Sequence, residues 1–235
     1  MAEAWVALLV LIGFFVVVGY LVFLVVVRAF RNMGFTGWEA VIIVAASFLL
    51  GYGVLDAAVH VPFSNLPLFT YGSWQVGVNA GGAVVPLLVC LYLVWKHRMP
   101  AGRLVVGVGL VAAVAYGVTV SDSQRGVVAV FPWWLLPVLV ASLGSVVFLW
   151  RNLQRAAPFA YVTGVCGVLL GADVLHLVSL LQEPVVGTRI AVIGGASVFD
   201  MVFTTGLLAV LLDSILVVHR RSTRKDSAGR DADSR

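Results

Sequence analysis

Of 235 residues, 61% are hydrophobic and 11% charged, with a net charge of +4 and a mean hydropathy of +1.05. Soluble domains carry about a quarter charged residues, so this chain is short of the polar groups that a water-facing surface needs, and a soluble globular domain is excluded. The apolar excess lies in runs long enough to span a bilayer, which puts the chain in the all-α class of polytopic membrane bundles.

Seven apolar segments follow in chain order, at 5–27, 39–59, 77–95, 104–120, 131–150, 159–181 and 190–218. Most are close to the ~20 residues that cross a hydrocarbon core. The fourth is short and Gly-rich. The seventh is long enough to tilt, break or begin with a non-helical stretch, and Gly194-Gly195 is the natural place for a break. The first is read as a retained span rather than a signal peptide, because no basic stretch precedes it and Arg28 follows it. Residues 1–218 are thus expected to form one seven-helix transmembrane domain, and 219–235, charged and rich in Ser, Asp and Gly, a disordered basic cytoplasmic tail.

Thirteen of the fifteen basic residues fall on one side of these segments, leaving Arg125 and Arg189 on the other. The positive-inside bias then predicts an outside N-terminus, a cytoplasmic C-terminus and a multi-pass protein of the cell (cytoplasmic) membrane. All seven tryptophans sit at expected span ends, Trp5, Trp74, Trp133 and Trp134 outside and Trp38, Trp95 and Trp150 inside, where amphipathic rings prefer the bilayer boundary. The positive charge is accounted for by loop anchors near anionic headgroups, so the lipid bilayer is the expected partner and no nucleic acid is implied. The oligomeric state stays open. Cys90 and Cys166 fall in the inner halves of spans, and both are read as packing residues without a disulfide.

A weak internal repeat runs through the chain. Leu49-Leu50-Gly51, Asp56, His60 and Asn79-Ala80-Gly81-Gly82-Ala83 have the same order as Leu169-Leu170-Gly171, Asp173, His176 and Ile193-Gly194-Gly195-Ala196, with drifting spacing. Such an order fits a parallel three-plus-one-plus-three plan, with the fourth helix as linker and a site at the repeat interface.

The strings VNAGGAVVPLLVCLYLVW (78–95), LLGADVLHLVSLL (169–181) and IGGASVFDMVFTTGLLAVLLD (193–213) resemble an uncharacterised prokaryotic membrane family, domain of unknown function 1614. The resemblance covers roughly 45–213 and implies a multi-span membrane protein, with no reaction to carry over. Where the family often has Asn, this chain has His60 and His176, which puts any role requiring imidazole in doubt.

Acids inside a span cost about 2.5–3.5 kcal/mol on insertion scales, and four fall there: Asp56, Asp173, Asp200 and Asp213. Asp173 lies ~12 Å and Asp200 ~15 Å below the outer ends of their segments at 1.5 Å per residue. Two acids at matched depth on successive helices are the main functional clue. Asp56 and His60 are spaced i,i+4, Asp173 and His176 i,i+3, and Asn79 opens the third span. Asp213, near the cytoplasmic end, is read as snorkelling to the interface.

Two functions are weighed first. A carrier would bind a small polar solute, cation or proton in an outward-facing cavity lined by Asp56, His60, Asn79, Asp173, His176, Asp200 and Thr204, with backbone breaks at Gly81-Gly82 and Gly194-Gly195. Alternatively, Asp173 and Asp200 would act as the catalytic dyad of an intramembrane aspartyl protease-like hydrolase, although Gly171-Ala172-Asp173 lacks a glycine directly before the acid. A metal-dependent hydrolase and a purely structural subunit are further alternatives; no tight metal motif occurs, so neither a metal nor a cofactor is assigned. No lysine lies within a span, which excludes a retinal Schiff base, and no phosphate-binding glycine motif is present.

Overall fold

Helix formation follows the apolar runs closely. The structure, a computed structural model, describes residues 2–54, 56, 64–122, 126–129, 132–183, 187–195 and 201–216. Its helices are α1 (Ala2–Asn32), α2 (Gly37–Gly51), α3 (Val85–His97), α4 (Ala101–Val118), α5 (Leu136–Phe148), α6 (Ala156–Val168), α7 (Leu175–Gln182) and α8 (Met201–Leu216). A π-helical turn at Ala80–Val84 leads into α3, and another at Leu169–Val174 joins α6 to α7. Among the described residues, Leu9–Asn32, Ala80–His97, Ala101–Val118 and Leu153–Gln182 are long and apolar enough to cross a membrane, while Gly37–Gly51, Trp133–Phe148 and Met201–Leu216 are apolar but shorter.

Local chemistry sets several of these ends. Thr36 and Glu39 form a capping box at the start of α2, with Thr36 N–H donating to Glu39 Oε2 at 2.6 Å and Glu39 N–H to Thr36 Oγ1 at 3.3 Å. Pro86 and Pro137 occupy first turns, where a missing N–H costs nothing. The second span is expected to reach residue 59; α2 ends at Gly51, where Tyr52 caps it and Gly53 takes a φ of +70°, helix is present again at 54 and 56, and 55 and 57–59 lie outside the described residues.

The bundle is organised around α6, which is buried around nearly its whole circumference and packs against α3, α4 and α5. A helix apolar on every face has no water-seeking side and is stable only when enclosed. Phe159, Tyr161 and Val165 of α6 meet Phe30 of α1 and Phe203 of α8 in one core. Small residues allow the close approach that drives helix association in lipid: a Cβ at Gly167 would lie 2.5 Å from Val111, and one at Gly107 2.7 Å from Thr163. The helix α1 joins this core through its last turns, with Val26, Val27, Ala29 and Phe30 and the following Met33; from Leu9 to Val25 it is exposed on all sides.

The departures from an all-α plan are in the connections. β1 (Asn65–Tyr71), β2 (Trp74–Asn79) and β5 (Arg189–Ile193) form one sheet in the order β1-β2-β5, and β3 (Thr119–Asp122) pairs with β4 (Gly126–Ala129). β1 and β2 are antiparallel around Gly72-Ser73, with Gly72 at φ +57° as a two-residue hairpin turn requires. β2 and β5 run parallel, from Trp74↔Arg189 to Val78↔Ile193. Residues 77–79, expected to begin a helical span, are therefore strand, and so are 190–193, where the seventh segment was long enough to begin with a non-helical stretch. Short Val/Ile runs do not distinguish strand from helix by periodicity, and here each run finds a partner strand. The sheet also captures Trp74, which is 4% exposed and donates its indole N–H to the Glu183 carbonyl at 3.3 Å. It is not a bilayer-boundary ring as expected, whereas Trp38 and Trp95 are each 79% exposed.

Candidate functional site

β5 runs directly into Gly194-Gly195 and β2, through Ala80, into Gly81-Gly82, and the two glycine segments cross. The carbonyl of Gly194 occupies the space that a Cβ of Gly82 would need, while a Cβ on Gly194 would lie 2.7 Å from the Ala83 nitrogen. Gly194 has a φ of +88° and Gly195 of +69°, values that favour glycine. On its other side the π-helical turn lies against α2, where a Cβ at Gly81 would come within 2.5 Å of the Gly51 nitrogen. The expected breaks thus differ in kind: Gly194-Gly195 is a true turn, whereas Gly81-Gly82 stays inside a π-helical turn.

Side chains satisfy the backbone groups that this crossing exposes. Asn79, fully buried, accepts the Gly82 N–H through Oδ1 at 2.6 Å and donates through Nδ2 to the Gly51 carbonyl and Asn65 Oδ1, each at 3.2 Å. Asp173, in the π-helical turn between α6 and α7, accepts the Gly194 N–H through Oδ2 at 2.6 Å. Asp56 accepts the Ser64 N–H at 2.9 Å, and the Ser64 carbonyl in turn accepts the Ala80 N–H at 2.8 Å. Asp56, Asn79 and Asp173 are therefore all tied to the crossing, two directly and one through Ser64. The hydroxyls of Ser47 and Ser64, whose carbonyls face Gly81 and Ala80, are buried and have no hydrogen-bond partner among the described residues. Orphan buried polar atoms of this kind ask for a ligand, an ion or water.

His176 turns elsewhere. Its ring stacks on Tyr116 of α4 with centroids 4.5 Å apart and planes 20° apart, and Nε2 lies 3.2 Å from the Tyr116 carbonyl. Although three residues from Asp173, it faces α4 rather than the crossing. Thr204 lies on the first turn of α8, half-buried. His60 and Asp200 lie outside the described residues, and with them the separation of Asp173 from Asp200. Sequence reading passed over Ser47, Ser64 and Asn65, because serine and asparagine in loops and spans are too common to single out before a partner is known.

One expectation is corrected. Asp213 was read as snorkelling, but it is 1% exposed, and the Ser145 hydroxyl of α5 lies 2.5 Å from its Oδ1. The side chain turns into the bundle because α8 presents Ala209 and Asp213, one turn apart, to its neighbours.

Residues 52–212 match the family described as protein of unknown function (DUF1614). No curated protein and no solved structure matches the chain.

Proposed function

Because the chain belongs to the DUF1614 family and its apolar helices mark it as a membrane protein, we propose that it is a carrier for a cation, a proton or a small polar solute. In this reading the chain is a multi-pass protein of the cytoplasmic membrane with seven spans within residues 1–218, an outside N-terminus and a cytoplasmic tail at 219–235. Its cavity opens outward beside the sheet and is lined by Asp56, Asn79 and Asp173 together with His60, Asp200 and Thr204. His176 serves at the edge, holding α7 to α4. The two halves are parallel repeats: β2 with the following glycines and α3 corresponds to β5 with the following glycines and α8.

One observation carries the reading. Two backbone segments leave regular α-helical geometry where they cross, and Asn79 and Asp173 each cap a glycine N–H there. At membrane depth, irregular backbone is tolerated only where protein encloses it or it lines a cavity, and discontinuous helices at a repeat interface are where carriers bind ions and solutes. The unpartnered Ser47 and Ser64 hydroxyls belong to the same crossing. A hydrolase using Asp173 with Asp200 draws less support, because Asp173 already serves as a backbone cap.

The test is ion flux into proteoliposomes, followed with an entrapped pH dye and with radiolabelled sodium. Wild-type protein should exceed protein-free vesicles with at least one probe, and Asp173→Asn should lower that flux about tenfold or more, a loss of roughly 1.4 kcal/mol or greater. Wild-type flux equal to that of empty vesicles with both probes would overturn the cation and proton reading, and an unaltered Asp173→Asn would overturn the role of the acid.

A further inference from the structure

Away from the glycine crossing, α5 and α8 bury a column of oxygen atoms inside an otherwise apolar contact. Ser142 and Ser145 lie one turn apart on α5, and Thr205 and Asp213 two turns apart on α8; all four are at most 1% exposed. Gly164 of α6 brings the upper part together, since a Cβ there would touch both Thr205, at 3.5 Å, and Ala141, at 3.6 Å. The hydroxyls of Ser142 and Thr205 have no hydrogen-bond partner among the described residues.

The proton count in this column does not close. Ser145 Oγ lies 2.5 Å from Asp213 Oδ1 and 2.6 Å from the Ser142 carbonyl oxygen. A hydroxyl carries one hydrogen and a carboxylate and a carbonyl carry none, so one of the two short contacts joins two acceptors with nothing between them. No described basic side chain pairs with Asp213. From α1 the neighbouring polar group is Asn32, whose Nδ2 donates at 2.8 Å to Ser214 rather than to the carboxylate. A carboxylate without a charge partner among the described residues is costly in such a place.

We propose that Asp213, Ser145 and Ser142 form a binding site for one small hard monovalent cation, H+ or Na+. A proton on the carboxyl completes a chain in which Asp213 donates to Ser145 Oγ and Ser145 donates to the Ser142 carbonyl. A sodium ion instead takes the carboxylate, the Ser145 hydroxyl and the unpartnered Ser142 hydroxyl as oxygen ligands, the donor type that hard cations select. Both ligands supply the positive charge that no described side chain brings to Asp213. The site stands apart from the crossing, near the other end of α8, and equilibrium binding tests it whether or not the protein moves a solute.

The experiment uses the purified full chain in detergent, with radiolabelled sodium binding and infrared difference spectroscopy of wild type against Asp213→Asn. Sodium occupancy predicts saturable binding with a component that weakens about tenfold or more in Asp213→Asn and severalfold in Ser142→Ala, with Glu39→Gln unchanged. Proton occupancy predicts no sodium binding that depends on Asp213 and a protonated-carboxyl C=O band that vanishes in Asp213→Asn but persists in Glu39→Gln. Neither sodium binding nor such a band would overturn the proposal. Should Asp213→Asn fail to fold, Ser145→Ala keeps the carboxyl and removes its neighbour: weaker sodium binding or a displaced band supports the site, and no change in either refutes it.

Discussion

Asp173 accepts the backbone N–H of Gly194 at 2.6 Å, linking a π-helical turn to the turn that ends a strand. Asn79 makes the corresponding bond to Gly82, also at 2.6 Å. The two acceptors differ in one respect that matters. Asn79 also donates, to Gly51 and Asn65, whereas an ionised Asp173 can only accept. The neutral cap is locked on both sides, and the acid is placed where added charge or a proton changes what it can hold.

The closeness of the crossing makes Gly82 intolerant of any side chain. Gly82→Ala should destabilise the protein by about 1–3 kcal/mol through overpacking against the Gly194 carbonyl. Gly109→Ala on α4 meets nothing within 4 Å and should be neutral or gain up to about 1 kcal/mol from helix propensity. Thermal unfolding of both variants in the same detergent checks this; equal midpoints would show that the crossing does not constrain the fold.

The two caps should respond differently to mutation. Asp173→Ala leaves the Gly194 N–H without its acceptor and should cost about 1–3 kcal/mol, while Asp173→Asn retains an acceptor oxygen and should cost less. Asn79→Asp keeps the bond to Gly82 but sets a carboxylate against the Gly51 carbonyl and Asn65 Oδ1, and should cost about 3 kcal/mol. Denaturant titration of the three variants orders them; an Asn79→Asp protein as stable as wild type would contradict the bonding of its amide.

Orientation has its own test. In a background of Cys90→Ala and Cys166→Ala, a single Ser73→Cys in the β1–β2 turn should react with a membrane-impermeant maleimide in intact cells, because that turn is expected outside. Ser234→Cys in the tail should react only in inside-out vesicles. The opposite pattern would reverse the topology read from the basic residues.

Much of the helical plan was legible in the chain, and for a simple reason: an apolar run of span length has few alternatives in a protein with so little charge. The turn at Gly194-Gly195 was legible too, since paired glycines interrupt helices. The strands on either side were not. Residues 76–78 and 190–193 look the same whether they pair with each other or continue a helix, and pairing depends on a partner more than a hundred positions away. Asp213 was misread for a related reason: its distance from a helix end suggested a reachable interface, but the partner that draws it inward, Ser145, lies 68 residues earlier.

By itself the sequence determined that the chain is an apolar, mostly helical membrane protein, and which polar residues its apolar runs keep at a cost. Composition and run length suffice for that, because both are sums along the chain. Only the tertiary structure decided which of those residues meet. Depth along a helix can be counted from its end, but rotation about its axis cannot when nearly every face is apolar, and a hydrogen bond near 2.6 Å depends on that rotation. So Asp173 turned toward Gly194, His176 toward Tyr116, and Asp213 toward Ser145.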